Sequence, residues 1–130
     1  MSSPVQAAPQ AAARAQQRLA APSISVVLPA YNEAANLPSV LQTLDEALAA
    51  LTERHEIVVV DDGSRDATPL LMQQAAAARR SLRCLRLSRN FGKEAALTAG
   101  IEHARGEVVV LMDADGQHPV AMLAPMLEAW

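Results

Sequence analysis

Ile57-Val-Val-Val-Asp-Asp-Gly-Ser64 decides the fold. Four β-branched residues in a row are apolar on both faces of a strand, which requires cover on both sides of the sheet, and Asp61-Asp62-Gly63-Ser64 closes the run with turn chemistry. The same pattern recurs on either side. Ile24-Ser-Val-Val-Leu28 reads as a strand ended by Pro29, Leu82–Leu87 as a third strand, and Val108-Val-Val-Leu-Met112 as a fourth. Between them the apolar spacing is helical: Leu37, Val40, Leu41, Leu44, Leu48 and Leu51 form one stripe. A helix is expected from about Asp66, as its cap, to Arg80, another over Lys93–Arg105 with Gly106 placed to end it, and a last one from near Pro119. Strands alternating with helices in this order predict an α/β fold, an open, Rossmann-like, mostly parallel sheet with helices on both faces.

The 130 residues amount to about one small domain. Half are hydrophobic but only Tyr31, Phe91 and Trp130 are aromatic, so the core is aliphatic. The net charge of −3 carries no electrostatic footprint for nucleic acid. Cys84, the single cysteine, excludes an internal disulfide, fits a reducing compartment, and reads as a buried small hydrophobe among Leu82–Leu87. Residues 1–22, rich in Ala, Gln and Pro, read as a disordered or partly helical tail, leaving 23–130 as the folded part. No stretch approaches the ~18 consecutive apolar residues of a membrane helix, and no secretory signal follows Arg14 and Arg18, so the chain reads as cytoplasmic.

Ligands of open α/β sheets bind beyond the carboxyl ends of the strands. Here those ends are 29–33, 61–66, 88–93 and 113–118, where the polar motifs also fall. Asp113-Ala-Asp115 sets two carboxylates one residue apart at a strand end, with Gln117 adding a neutral oxygen. Such hard donors suit Mg²⁺ or Mn²⁺, which neutralises a diphosphate leaving group; a lone D-x-D is more often a solvated acidic turn before a helix, but strand–D-A-D-G-Q-H-P–helix is far more specific. Asp61 and Asp62 are placed to accept from a base imide or ribose hydroxyls, or simply to form a turn, with Asp66 as helix cap. Tyr31 is placed to lie against a base. Glu33 can bond the base or cap the first helix, and Asn32 can also cap it. Arg89 and Lys93 are candidate phosphate ligands beside a helix N-terminus, against the reading of a solvated basic loop. His55 and His103 read as structural residues at helix ends or surfaces, and His118 stands nearest the acidic motif. No Ser-His-Asp set, Walker A loop or G-x-G-x-x-G follows the strands.

Taken together, SVVLPAYNEAANL, EIVVVDDGSRDAT and RLSRNFGKEAALTAGIEHARGEVVVLMDADGQHP resemble family 2 glycosyltransferases of the GT-A fold, over about four-fifths of the chain. The stretch R-N-F-G-K-E-A-A-L with D-A-D-G-Q-H-P is most similar to the polyprenyl-phosphate sugar transferases of cell-envelope glycan synthesis. The resemblance implies that Pro29, Tyr31 and Glu33 frame the nucleotide base and that Val60 and Asp62, with Asp61, contact base or ribose. It makes Asp113 and Asp115 the catalytic carboxylates, metal-holding together with Gln117. Ala114 offers its backbone to the nucleotide, and Lys93 is a weaker carry-over. Gly116 stands where many relatives carry Leu.

The implied reaction is transfer, with inversion, from a nucleotide-diphospho-sugar, UDP favoured over GDP, to a polyprenyl phosphate. A lipid phosphate arrives already anionic and needs no general base, whereas a sugar hydroxyl would. The family's second half carries the acceptor-binding residues. The 130-residue chain is therefore expected not to transfer sugar alone, and to meet the membrane's cytoplasmic face only through segments beyond it. Two further readings stand beside this one. One is a non-catalytic nucleotide-binding module. The other is a haloacid-dehalogenase-type phosphatase, against which Gln117 replaces the Thr of D-x-D-G-T. A receiver domain would need a carboxylate pair where Pro29-Ala30 stand.

Overall fold

A computed structural model describes residues 4–114 together with 123 and 125. The elements alternate: α1 (Pro4–Ala20), β1 (Ile24–Ala30), α2 (Leu37–Leu51), β2 (His55–Asp61), α3 (Thr68–Ala78), β3 (Leu82–Arg86), α4 (Lys93–His103) and β4 (Val108–Leu111). The four strands form one sheet in the order β3-β2-β1-β4, every pair parallel. The α/β expectation holds: α4 covers one face of β1 and β2, while α2 and α3 cover the other.

The alternation of side chains along β2 explains the two-sided cover. Ile57 and Val59 enter the larger core with the α2 stripe Leu37, Leu41, Leu44 and Leu48, all at most 2% exposed. Val58 and Val60 point the other way, into a smaller core with Ala96 of α4. Each fully buried Leu contributes about 1.5–3 kcal/mol, and this stripe anchors the larger core. The α4 face is small instead of bulky. At Gly100 an added Cβ would overlap Val27 Cγ1, so the helix lies almost flush on the sheet.

Several boundaries depart from the sequence reading. β1 runs through Pro29 to Ala30. Ser23 accepts from Val108 of β4 and Val27 from Met112 just past it; by alternation Pro29 faces that same side, but β4 ends opposite Val27, so its lost N–H has no ladder to break. Helix α3 begins at Thr68, with Asp66 accepting the Thr68 N–H at 2.9 Å from just outside the cap position. Helix α4 ends at His103 on an extended Ala104. Gly106 thus does not close it through a left-handed turn. It is needed for close approach, since a Cβ there would stand 2.6 Å from Ser25 N. His55 opens β2, and its Nε2 meets Asp45 Oδ1 at 2.8 Å. His103 does end its helix, with Nδ1 2.8 Å from the Ala99 carbonyl.

The amino ends of the strands are tied by charge. Glu56 accepts from Ser25 Oγ at 2.6 Å, Arg83 Nη1 at 2.8 Å and the Arg105 N–H at 2.7 Å. Burial alone would raise the Glu56 pKa, but these donors outweigh it and hold the group below the usual range. Helix α1 joins through Arg18, 2.8 Å from Glu53. Among the described residues no helix is long and apolar enough to cross a membrane.

Candidate functional site

The carboxyl ends of β1, β2 and β4 leave an open cleft of about 230 Å³ lined by Pro29, Ala30, Tyr31, Glu33, Asp62, Lys93, Asp113 and Ala114. Backbone and side chains of adjacent turns stitch its floor. The Asp62 N–H donates to the Ala30 carbonyl at 2.9 Å. Asn32, held at φ 52°, donates its N–H to Ser64 Oγ and accepts the Arg65 N–H on Oδ1, both at 2.9 Å. Thr68 Oγ1 accepts the Glu33 N–H at 2.9 Å, and Asp66 Oδ2 the Ala34 N–H at 3.2 Å. The Thr68 hydroxyl and the backbone N–H groups of Thr68 and Ala34 hold the Asp66 carboxyl below its ordinary range.

Asn32 therefore does not cap α2, the helix that follows β1. That helix starts at Leu37, after an Asn36 that makes no side-chain cap bond. Asn32, Ser64, Asp66 and Thr68 instead tie the β1–α2 turn to the β2–α3 turn. Reading the motifs one at a time missed this role. The available signal was two Asn/Ser/Asp/Thr-rich turns following adjacent parallel strands.

Seven of the nine residues singled out as nucleotide-binding line the cleft. Tyr31 is 41% exposed, leaving its ring free for stacking. The Lys93 ammonium, at the start of α4, pairs with the Asp113 carboxylate at the end of β4. Asp62 is almost fully buried and accepts the N–H groups of Phe91 at 2.8 Å and Gly92 at 3.0 Å. Ala30, which the sequence reading did not include, joins the lining because β1 extends past Pro29.

Two predicted residues do not bring their side chains to the cleft. Val60 is fully buried in the α4 core, so only its backbone faces the strand end. Asp61 points to the opposite face, one residue out of phase with Val60. There it accepts the Ser64 N–H at 3.1 Å and lies 3.4 Å from the exposed Arg86 Nε, in a smaller crevice that includes Cys84 and Met72. Asp61 is thus a brace for its own turn and a partner of the edge strand β3. Arg89 lies outside the cleft lining and stacks over Phe91, 4.6 Å from the ring centroid. Asp115, Gln117 and His118 lie outside the described residues.

A parallel sheet with an aromatic, acids and a lysine converging on a cleft at its switch point is the architecture of the GT-A glycosyltransferase fold. The chain belongs to glycosyl transferase family 2, whose pattern matches residues 25–130. It is similar to the undecaprenyl-phosphate 4-deoxy-4-formamido-L-arabinose transferase of Aeromonas hydrophila, 41% identical over 107 residues, covering 82% of this chain and 33% of that one. Among solved structures it is similar to a mannosyltransferase from Pyrobaculum calidifontis in complex with GDP-Man and Mn²⁺. That match has a TM-score of 0.66 and 29% identity, covering 86% of this chain and 35% of the other. Residues 1–349 of S. aureus TarS in complex with UDP-GlcNAc match with a TM-score of 0.59 and 27% identity, over 72% and 26% of the two chains. The chain spans about a third of the length of the curated relatives it matches.

Proposed function

We propose that this chain binds the donor of a glycosyl transfer from a nucleotide-diphospho-sugar to a polyprenyl phosphate, with inversion. Residues 23–130 form the donor-binding part. The observation that carries this reading is the convergence of Tyr31, Glu33, Asp62, Lys93 and Asp113 on one cleft at the strand ends. Tyr31 stacks on the base, while Glu33 and Asp62 accept from base or ribose donors. Lys93 attracts the diphosphate. The polyprenyl acceptor and the UDP donor rest on likeness to the undecaprenyl-phosphate transferase and to the UDP-GlcNAc-bound neighbour.

The donor set fits a divalent cation. Asp113 turns a hard carboxylate into the cleft and already faces a cationic group, the Lys93 ammonium. Asp113, with Asp115 and Gln117, would hold Mg²⁺ or Mn²⁺, which supplies charge neutralisation for the departing diphosphate. The chain's own residues bind and orient the donor, and Lys93 adds positive charge where the leaving group develops negative charge. The phosphate acceptor needs no general base, so positioning dominates the reaction.

Calorimetric titration of UDP and GDP into the 130-residue chain, with and without Mn²⁺ and beside Asp113→Asn, tests the reading. Manganese-dependent binding of UDP that the substitution abolishes is the expected result. A folded chain that binds neither nucleotide contradicts it. Binding unaffected by Asp113→Asn would remove that carboxylate from the site.

A further inference from the structure

We infer that Asp62 is a positioning residue: its carboxylate clasps the β3–α4 loop and thereby sets the Lys93 ammonium against Asp113. Both carboxylate oxygens are engaged, Oδ1 by the Phe91 N–H at 2.8 Å and Oδ2 by the Gly92 N–H at 3.0 Å. Two charge-assisted bonds to adjacent peptide groups fix a loop far better than one, because they fix its orientation as well as its distance. The loop has few other restraints. Asn90, Phe91 and Lys93 are exposed, and Gly92, at φ 106°, leads directly into α4. Lys93 is the next residue, so the direction in which its side chain leaves the backbone is set where Asp62 holds the chain.

Gly63 closes the clasp from below. A Cβ there would fall on the Arg89 carbonyl carbon and the Asn90 nitrogen, and would stand 2.9 Å from Arg89 Cα. Asp62 and Gly63 thus grip residues 89–92 from consecutive positions, one by hydrogen bonds and one by backbone contact. A carboxylate with its oxygens so engaged is a brace before it is a ligand contact. Asp62 acts on Asp113 through Lys93.

Lys93 is the only lysine in the chain, which makes the inference directly readable. Reductive ¹³C-methylation, which keeps the positive charge, leaves one side-chain dimethylamino signal beside that of the α-amino group. Asp113→Asn should move the Lys93 signal, Asp62→Asn should move it in the same direction, and Glu46→Gln on α2, which removes the same charge elsewhere, should leave it in place. In the unsubstituted chain the Phe91 and Gly92 amides should exchange with solvent at least about tenfold more slowly than that of Asn90, and Asp62→Asn should abolish the difference.

A Lys93 signal unmoved in a folded Asp62→Asn chain overturns the inference. So do unprotected Phe91 and Gly92 amides in the unsubstituted chain, a measurement that stands even where the variant does not fold. No nucleotide is present in either experiment, so the clasp and the donor-binding reading fail independently.

Discussion

Gly63 lies against the backbone of Arg89, with no room for even one further carbon between the turn after β2 and the loop after β3. Its φ of 75° is itself in the left-handed region. Gly63→Ala meets both penalties, and we expect it to cost about 2–4 kcal/mol of stability, read as a lowered urea midpoint. A loss below about 0.5 kcal/mol would mean the two loops are not in contact.

Asp45 on α2 gathers three donors: Ser81 Oγ at 2.6 Å, His55 Nε2 at 2.8 Å and Arg79 Nη1 at 2.8 Å. It ties α2 to the start of β2 and to the α3–β3 turn. Asp45→Ala leaves these groups without their acceptor and should cost about 2 kcal/mol by denaturant unfolding.

The same carboxylate predicts the acid limb of stability. Burial raises the Asp45 pKa, yet bonds from Ser81, His55 and Arg79 outweigh it, so its folded value is lowered, as is that of Glu56. A folded pKa below the unfolded one, near 4, means the unfolded chain binds more protons as the pH drops. Their contribution is therefore complete above about pH 5 and is lost as the pH falls through the folded values. Urea midpoints between pH 6 and 3 should decline, and less steeply in Asp45→Asn and Glu56→Gln. Parallel slopes would show that other groups govern the decline.

Tyr31, 41% exposed at the cleft, packs into neither core cluster. Tyr31→Ala should leave the melting temperature nearly unchanged while weakening UDP binding by about 1–3 kcal/mol, the worth of one stacked base. Unchanged affinity would take the ring out of the site.

Cys84 is half-buried, with its thiol 3.4 Å from the Met72 carbonyl, and burial pushes its pKa up. A thiol kept protonated is a poor nucleophile, so Ellman's reagent should modify the folded chain much more slowly than the urea-unfolded one. Equal rates would place Cys84 at the surface.

The order of strands and helices from β1 to β4 was legible in the residues because each signal is local; the helix expected from near Pro119 lies outside the described residues. An unbroken β-branched run such as Ile57–Val60 can only be a two-sided strand, and the Leu37–Leu51 stripe only an amphipathic helix. The rule that ligands gather at strand ends located the cleft without coordinates, and Tyr31, Glu33, Asp62, Lys93 and Asp113 all line it. Tertiary structure alone decided what depends on strand phase and on approach between distant segments. Val60 and Asp61 are neighbours in sequence, yet strand alternation buries one under α4 and turns the other toward α3 and β3. Gly106 looks like a helix stop until Ser25 is seen against it, and the loop-holding role of Asp62 shows only when the Phe91 and Gly92 amides are found on its oxygens. The chain by itself determines which residues reach the carboxyl edge of the sheet. Which of them face the ligand and which hold the loops in place is settled only by packing, because that choice rests on contacts between residues some 30 to 80 positions apart.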